Sequence, residues 1–272
     1  MPFTLSHAAA VLPAVRGDGS GRGRLVPAVL VAGSFAPDLT YYADGVVPGA
    51  MGFGRVTHSV PGVFTVDVLF CWALVGLWLL LRAPLVALLP GARQARSAAL
   101  LRCGTAPARP SLPLAARWYA SAVLGALTHI GWDAFTHHGR WGTRLVPFLG
   151  ETVAGAPVYW YVQYVGSALA AVVIGVFVLR ALRRVPLPGG PTGVPTLSAR
   201  ERAAATALIA GCATITALLR ATAWWSRRGE AARPWELIPT LCFGAGAGLL
   251  AGAVLHAAVL HRRREGADAG TR

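Results

Sequence analysis

The chain has 272 residues, 55% of them apolar and only 13% charged, with a formal net charge of +14 at pH 7. Several apolar runs approach or exceed the roughly 20 residues needed to cross a bilayer, which excludes an ordinary soluble domain and indicates an integral membrane protein. The charge does not indicate nucleic acid either: every basic residue is Arg, and the arginines cluster in short segments between apolar runs, the distribution of the positive-inside rule.

In chain order, Thr4 to Val15 is an apolar segment carrying Ser6 and His7; at about 12 residues it is too short to span alone. No basic region precedes it, so no cleavable signal peptide is expected. Leu25 to Tyr42 is a second apolar segment interrupted by GSFAPDL, where Pro37 breaks a helix and Asp38 sits at the break. Residues 43–57 are Gly-rich and read as a loop ending in GRVTHSVPG, with Arg55, Thr57, His58 and Ser59. Val60 to Leu89 is a strong apolar run. It contains Asp67, an intramembrane carboxylate suited to support a histidine or to pair with Arg55. Residues 90–117 hold five arginines and no acid, which predicts a mobile cytoplasmic loop.

A fourth helix is predicted over 118–138 and a fifth over 157–182. VPLPGGPTGVPT reads as a Pro/Gly linker. Two further spans, 203–225 and 237–260, precede a polar tail. Cys71, Cys103, Cys212 and Cys242 show no CxxC spacing and read as packing residues. The small residues of GAGAGLLAG allow close helix packing. The expectation is an all-α polytopic helical membrane protein with about six transmembrane helices and a short N-terminal helical segment. It comprises a core at 1–183, a linker at 184–198, a transmembrane hairpin at 199–261 and a tail at 262–272. There is no internal repeat. Exclusive use of Arg, with abundant Ala and Gly, suggests a GC-rich genome.

The chemistry gathers in ALTHIGWDAFTHHG, where His129, Asp133 and His137 fall at four-residue steps on one predicted helix face. Buried imidazole and carboxylate groups cost roughly 1–3 kcal/mol or more unless something satisfies them, and a metal ion is an economical partner. The rises of about 6 Å and about 12 Å let one ion take the first pair or the second, but hardly all three. Assigning the arginine-rich loops to the cytoplasm places His7, Asp38, His58, His129, Asp133 and His137 together on the non-cytoplasmic side. Tyr41, Tyr42, Trp132, Trp141, Tyr159 to Tyr161, Trp224, Trp225 and Trp235 would form an interfacial belt there. Arg220, Arg227, Arg228 and Arg233 run against that assignment.

Four imidazoles and two carboxylates suit a divalent metal, zinc first and also manganese or iron, better than calcium. A catalytic site would keep one position for water. Glu151 is a further candidate as general base. The expected partners are the lipid bilayer and a lipid or phosphoester substrate, with no nucleic acid. The alternative is a scaffold or transport component whose cluster binds an ion without turnover.

The segments MPFTLSHAAAVLP, GSFAPDL, THSVPG and LTHIGWDAFTHHG resemble the bacterial membrane proteins of domain-of-unknown-function family 4184. That family is similar in turn to predicted membrane-bound metal-dependent hydrolases, with an N-terminal His, a Pro-Asp-x-Asp segment, an HRxxTHS segment and a later HxxxD pair. The resemblance covers about residues 1–180. It implies a multi-pass protein of a bacterial cell membrane and implicates His7, Asp38, His58, His129 and Asp133 in the site. Two positions depart from the hydrolase-like pattern: Thr40 stands at its second Asp, and Gly54 at its His before Arg55.

Overall fold

A computed structural model of the chain describes residues 3–105, 109–187, 193–229 and 236–270. Residues 188–192 of the Pro/Gly linker, Arg233, Trp235 and the last two residues of the tail lie outside the described residues. The helices are α1 (Ala8–Val11), α2 (Pro27–Phe35), α3 (Leu39–Ala43), α4 (Ala50–Thr57), α5 (Val60–Phe64), α6 (Val66–Val86) and α7 (Gly91–Leu100). They continue with α8 (Leu112–Thr136), α9 (Trp141–Leu145), α10 (Val158–Arg184), α11 (Ala199–Arg228) and α12 (Leu237–Gly270). Among the described residues the only strands are a two-residue pair, Thr152–Val153 against Ala156–Pro157. The protein is all-α.

Four helices, α6, α10, α11 and α12, are long and apolar enough to cross a bilayer. Protein covers only 11% to 28% of their apolar windows, and Val165, Leu169, Val172 and Val176 of α10 remain exposed. Hydrocarbon is the surrounding in which such rows carry no penalty. The helix α8 has the length, but its Trp, His and Asp residues keep it out of that group.

One break falls where the sequence pattern predicts it, and two stretches are built otherwise. Leu25 to Tyr42 is interrupted within GSFAPDL: α2 stops at Phe35, a 3-10 turn covers Ala36–Asp38, and α3 follows. Pro37 has no N–H to continue the ladder, so the break falls there. The Gly-rich stretch 43–57 is not all loop, because α4 forms beyond Gly49, whose φ is 84°. Gly54 on this helix admits the Tyr41 ring, which would lie 2.6 Å from any Cβ placed there. The arginine-rich stretch 90–117 contains α7, whose Ala-rich sequence favours helix and whose Arg96 donates to the Leu182 carbonyl at 3.4 Å.

The described residues group into two compact units, Met1–Val75 with Arg109–Ala181, and Gly76–Ala108 with Leu182–Arg272. In the first, α2 packs on α8 with no side chain between them at two points. A Cβ on Gly33 would sit 2.6 Å from the Ala122 carbonyl oxygen, and one on Gly125 would run into the Leu30 carbonyl. Ala122, Gly125, Ala126, His129 and Asp133 lie on this buried stripe of α8. Small residues thus bring the backbones together, and the polar residues follow on the same face. Ser121 fixes the other end of the crossing by accepting the Val26 N–H at 3.0 Å. Cys71 of α6 donates to the Val29 carbonyl of α2.

The second unit is dominated by the α11–α12 hairpin. Gly244, Gly248 and Gly252 face Ala217, Cys212 and Ile209, where a Cβ would strike backbone. Thr216 donates to the Gly244 carbonyl at 2.7 Å across the hairpin. This is the small-residue packing that lets helices approach in lipid. The α11 start is a capping box, with Ser198 and Glu201 each serving the other's backbone N–H. His256 is buried here, with Nε2 at 3.2 Å from the Pro84 carbonyl, a structural bond with no bearing on the site.

Candidate metal centre

The chain breaks of the first unit place the polar residues. His7 ends a 3-10 turn at Thr4–His7, Asp38 ends the turn forced by Pro37, His58 follows the last residue of α4, and His129 and Asp133 stand one turn apart on α8. None of the five is more than 8% exposed. Asp38, His58, His129 and Asp133 each bring one ligand atom into a group whose atoms lie within 4.8 Å of one another.

The distances inside this group distinguish its chemistry. His129 Nε2 lies 3.4 Å from Asp38 Oδ1 and 3.4 Å from Asp133 Oδ2, while His58 Nε2 lies 3.5 Å and 3.7 Å from the same two oxygens. Charge-assisted hydrogen bonds close to about 2.7–2.9 Å. Four ligands at about 2.0–2.1 Å from one ion are instead about 3.3–3.4 Å apart along the edges of a tetrahedron. The four His–Asp separations lie near that edge length, so the group could hold an ion. Two buried carboxylates in such proximity also call for a cation.

The surrounding bonds hold the ligand atoms in that orientation. His129 Nδ1 lies 2.8 Å from the Ser34 carbonyl, and His58 Nδ1 lies 2.9 Å from the Gly54 carbonyl. Each ring donates its Nδ1 proton outward, which leaves a lone pair on Nε2 facing inward, the tautomer a metal needs. Thr4 donates to Asp38 Oδ2 at 2.5 Å, so Oδ1 turns toward the histidines. Thr57 donates to the Pro37 carbonyl at 2.7 Å and ties α4 to the turn that carries Asp38. Burial works against a charged His58, but the carboxylates of Asp133 and Asp38 outweigh it and raise the ring's pKa above its ordinary value. The pocket attracts positive charge.

Thr4→Val removes the bond that orients Asp38 without opening a cavity. We expect metal affinity to fall about 10- to 100-fold, read by titration against a chelator of known affinity.

His7 and His137 flank the group. The His7 ring stacks on His129, with centroids 3.6 Å apart and planes at 10°, and its Nε2 lies 3.5 Å from Asp133 Oδ1. His137 does not continue the helical stripe, because α8 ends at Thr136 and His137 has extended backbone. Its Nδ1 turns back to the Asp133 carbonyl at 3.3 Å and lies 3.6 Å from Asp133 Oδ2, and its Nε2 meets Gln163 Nε2 at 3.2 Å. The amide donates and the ring accepts, so His137 braces Asp133 and spends its other nitrogen on Gln163.

Other candidates lie elsewhere. Glu151 is exposed in its loop. Asp67 is 1% exposed with neither oxygen hydrogen-bonded among the described residues, and the pairing with Arg55 is not formed, since Arg55 is exposed. Ser59 caps α5 by accepting from Gly62 N, and Ser6 bonds the Phe3 carbonyl. At the departures from the hydrolase-like pattern, Thr40 is buried with its hydroxyl unbonded among the described residues, and Tyr41 packs on Gly54 and stacks on His58 at 5.5 Å. Neither position carries an imidazole or a carboxylate.

The sequence pattern did not single out Thr4, Ser34 or Arg140, nor the cleft of about 80 Å³ that reaches the group. That cleft is lined by His58, Val60, Ile130, Asp133, Ala134, Arg140 and Trp141. Its volume is that of two or three waters.

Comparison with known proteins gives a family and nothing finer. The family model described as "Domain of unknown function (DUF4184)" matches residues 1–258. The match runs well beyond residue 180, so α11 and most of α12, as far as residue 258, lie within the family's extent. No curated protein and no solved structure matches the chain. A helical membrane protein with a buried Asp/His group fit to hold a metal ion, this chain belongs to the domain-of-unknown-function family DUF4184.

Proposed function

We propose that the protein is a membrane-embedded metal-dependent hydrolase acting on a phosphoester or another lipid-borne ester at the non-cytoplasmic face. The observation that carries this reading is the cleft, which opens on His58 and Asp133; a cluster serving packing alone needs no such access. Asp38, His58, His129 and Asp133 would hold the ion, and two imidazoles with two carboxylates suit zinc, manganese or iron. A bound divalent ion supplies a Lewis acid for a phosphoryl or carbonyl oxygen and lowers the pKa of water toward about 7.

The chain's own residues do the rest. The Ser34 and Gly54 carbonyls hold the two rings in one tautomer, Thr4 orients Asp38, and the His7 and His137 rings lie beside the two oxygens of Asp133. Val60, Ile130 and Trp141 narrow the cleft and limit water. The arginine distribution along the sequence supports the assignment of the face, and the resemblance to predicted membrane-bound hydrolases supports the reaction class.

The test is turnover of bis(4-nitrophenyl) phosphate and of 4-nitrophenyl butyrate by the detergent-purified chain. Hydrolysis of one substrate, lost on chelation and restored by a single added metal, is the expected result. A second reading rests on the number of converging groups. Four protein ligands can close a tetrahedron and leave no position for water, as in structural sites. Full metal content with no turnover, and X-ray absorption fitting protein ligands alone, would establish that reading instead.

A further inference from the structure

We infer that Arg140 makes the mouth of the metal cleft a receptor for a phosphoryl anion, which narrows the substrate of the proposed hydrolase to phosphate esters; the inference rests on that reading. Arg140 lines the same cleft of about 80 Å³ as His58 and Asp133. It follows Gly139, whose φ of 69° turns the chain sharply after α8, and so it is brought back over the end of the helix that carries Asp133. Its guanidinium forms no ion pair among the described residues, whereas Glu201 and Glu236 each have an arginine partner.

An arginine left without a carboxylate at the entrance of a site built from two carboxylates has a chemical use. A neutral carboxylic ester offers it only a carbonyl oxygen. A phosphate monoester offers three non-bridging anionic oxygens, one for the ion and two for a bidentate guanidinium fork. Trp141 forms the other wall, 57% exposed and edge-on to Phe135 at 5.3 Å. An anion-binding group and an apolar ring at one entrance fit a phosphate either free or carried on an acyl chain.

The test uses the full chain in detergent, loaded with Co²⁺ as a visible reporter of coordination, with inorganic phosphate and dihexanoyl phosphatidic acid as probes. Both are expected to perturb the cobalt spectrum saturably in the wild type. Arg140→Gln should weaken both by about tenfold or more at unchanged cobalt stoichiometry, Arg140→Lys should fall between, and Arg144→Gln, at an exposed position outside the cleft, should match the wild type. Trp141→Ala should weaken only the phosphatidic acid if the phosphate is lipid-borne, and neither probe if it is free. Equal phosphate affinity in wild type and Arg140→Gln, both fully loaded, would overturn the inference and leave the hydrolase reading standing. A wild-type chain that takes up no metal would overturn both.

Discussion

Asp133→Ala is expected to abolish metal binding, from about one ion per chain to none detectable by elemental analysis of the purified protein. Its carboxylate faces four imidazoles, where that of Asp38 faces two. Its Oδ2 lies 3.4 Å from His129, 3.7 Å from His58 and 3.6 Å from His137, and its Oδ1 lies 3.5 Å from His7. Removing it deletes one of four ligands and leaves Asp38 as the only acid in the group. His129→Ala should lose the ion as well, but for a different reason, since it also frees the Ser34 carbonyl. Asp133→Asn separates charge from shape. It keeps the volume and one acceptor oxygen, so near-complete loss of metal in this variant would show that the carboxylate charge holds the ion. Full metal content in Asp133→Ala would remove the centre described here.

Gly125→Ala, a change of one methyl group, is expected to damage the same site from a distance. The added carbon would meet the Leu30 carbonyl and stand 2.8 Å from Ser34 N and 2.9 Å from Gly33 C. All three are backbone, so α2 itself must move. Ser34 is the residue whose carbonyl accepts from His129 Nδ1, and displacing that acceptor releases the ring. Loss of such a bond typically lowers metal affinity 10- to 100-fold. We expect at least that, with a fall in thermal midpoint measurable in the same sample. Gly131→Ala is the control, because a Cβ there has nothing within 4 Å. It should retain both metal and stability.

The sequence carried the site unevenly, for physical reasons visible in particular residues. His129 and Asp133 were legible because four residues is nearly one helical turn and the pair needs only the helix to meet. The partners of that pair depend on breaks: Pro37 announces one, and Asp38 and His58 stand beside such breaks. His137 follows the same four-residue step, yet the helix ends one residue earlier and turns its ring onto Gln163. Periodicity cannot register that the helix stops. Thr4 and Arg140 gave no local signal, since a hydroxyl among apolar residues and an arginine in a loop are ordinary until the fold shows what they face.

Apolar length indicated the long helices and missed the short ones. The helix α4 is hidden by three glycines in or before it, one of which makes room for Tyr41, and α7 by arginines, which a helix accommodates as well as a loop does.

The separation along the chain between Ser34 and His129, 95 residues, bears on how the protein is made. At about 5–20 residues per second of synthesis, the segments bearing His7, Asp38 and His58 leave the ribosome roughly 5–20 seconds before the helix that completes their coordination. During that interval their carboxylate and imidazoles have no common partner, and a charged group left at membrane depth costs a few kcal/mol. The group therefore cannot assemble before α8 is made, and a chain ending ahead of His129 carries only two of its four residues, Asp38 and His58.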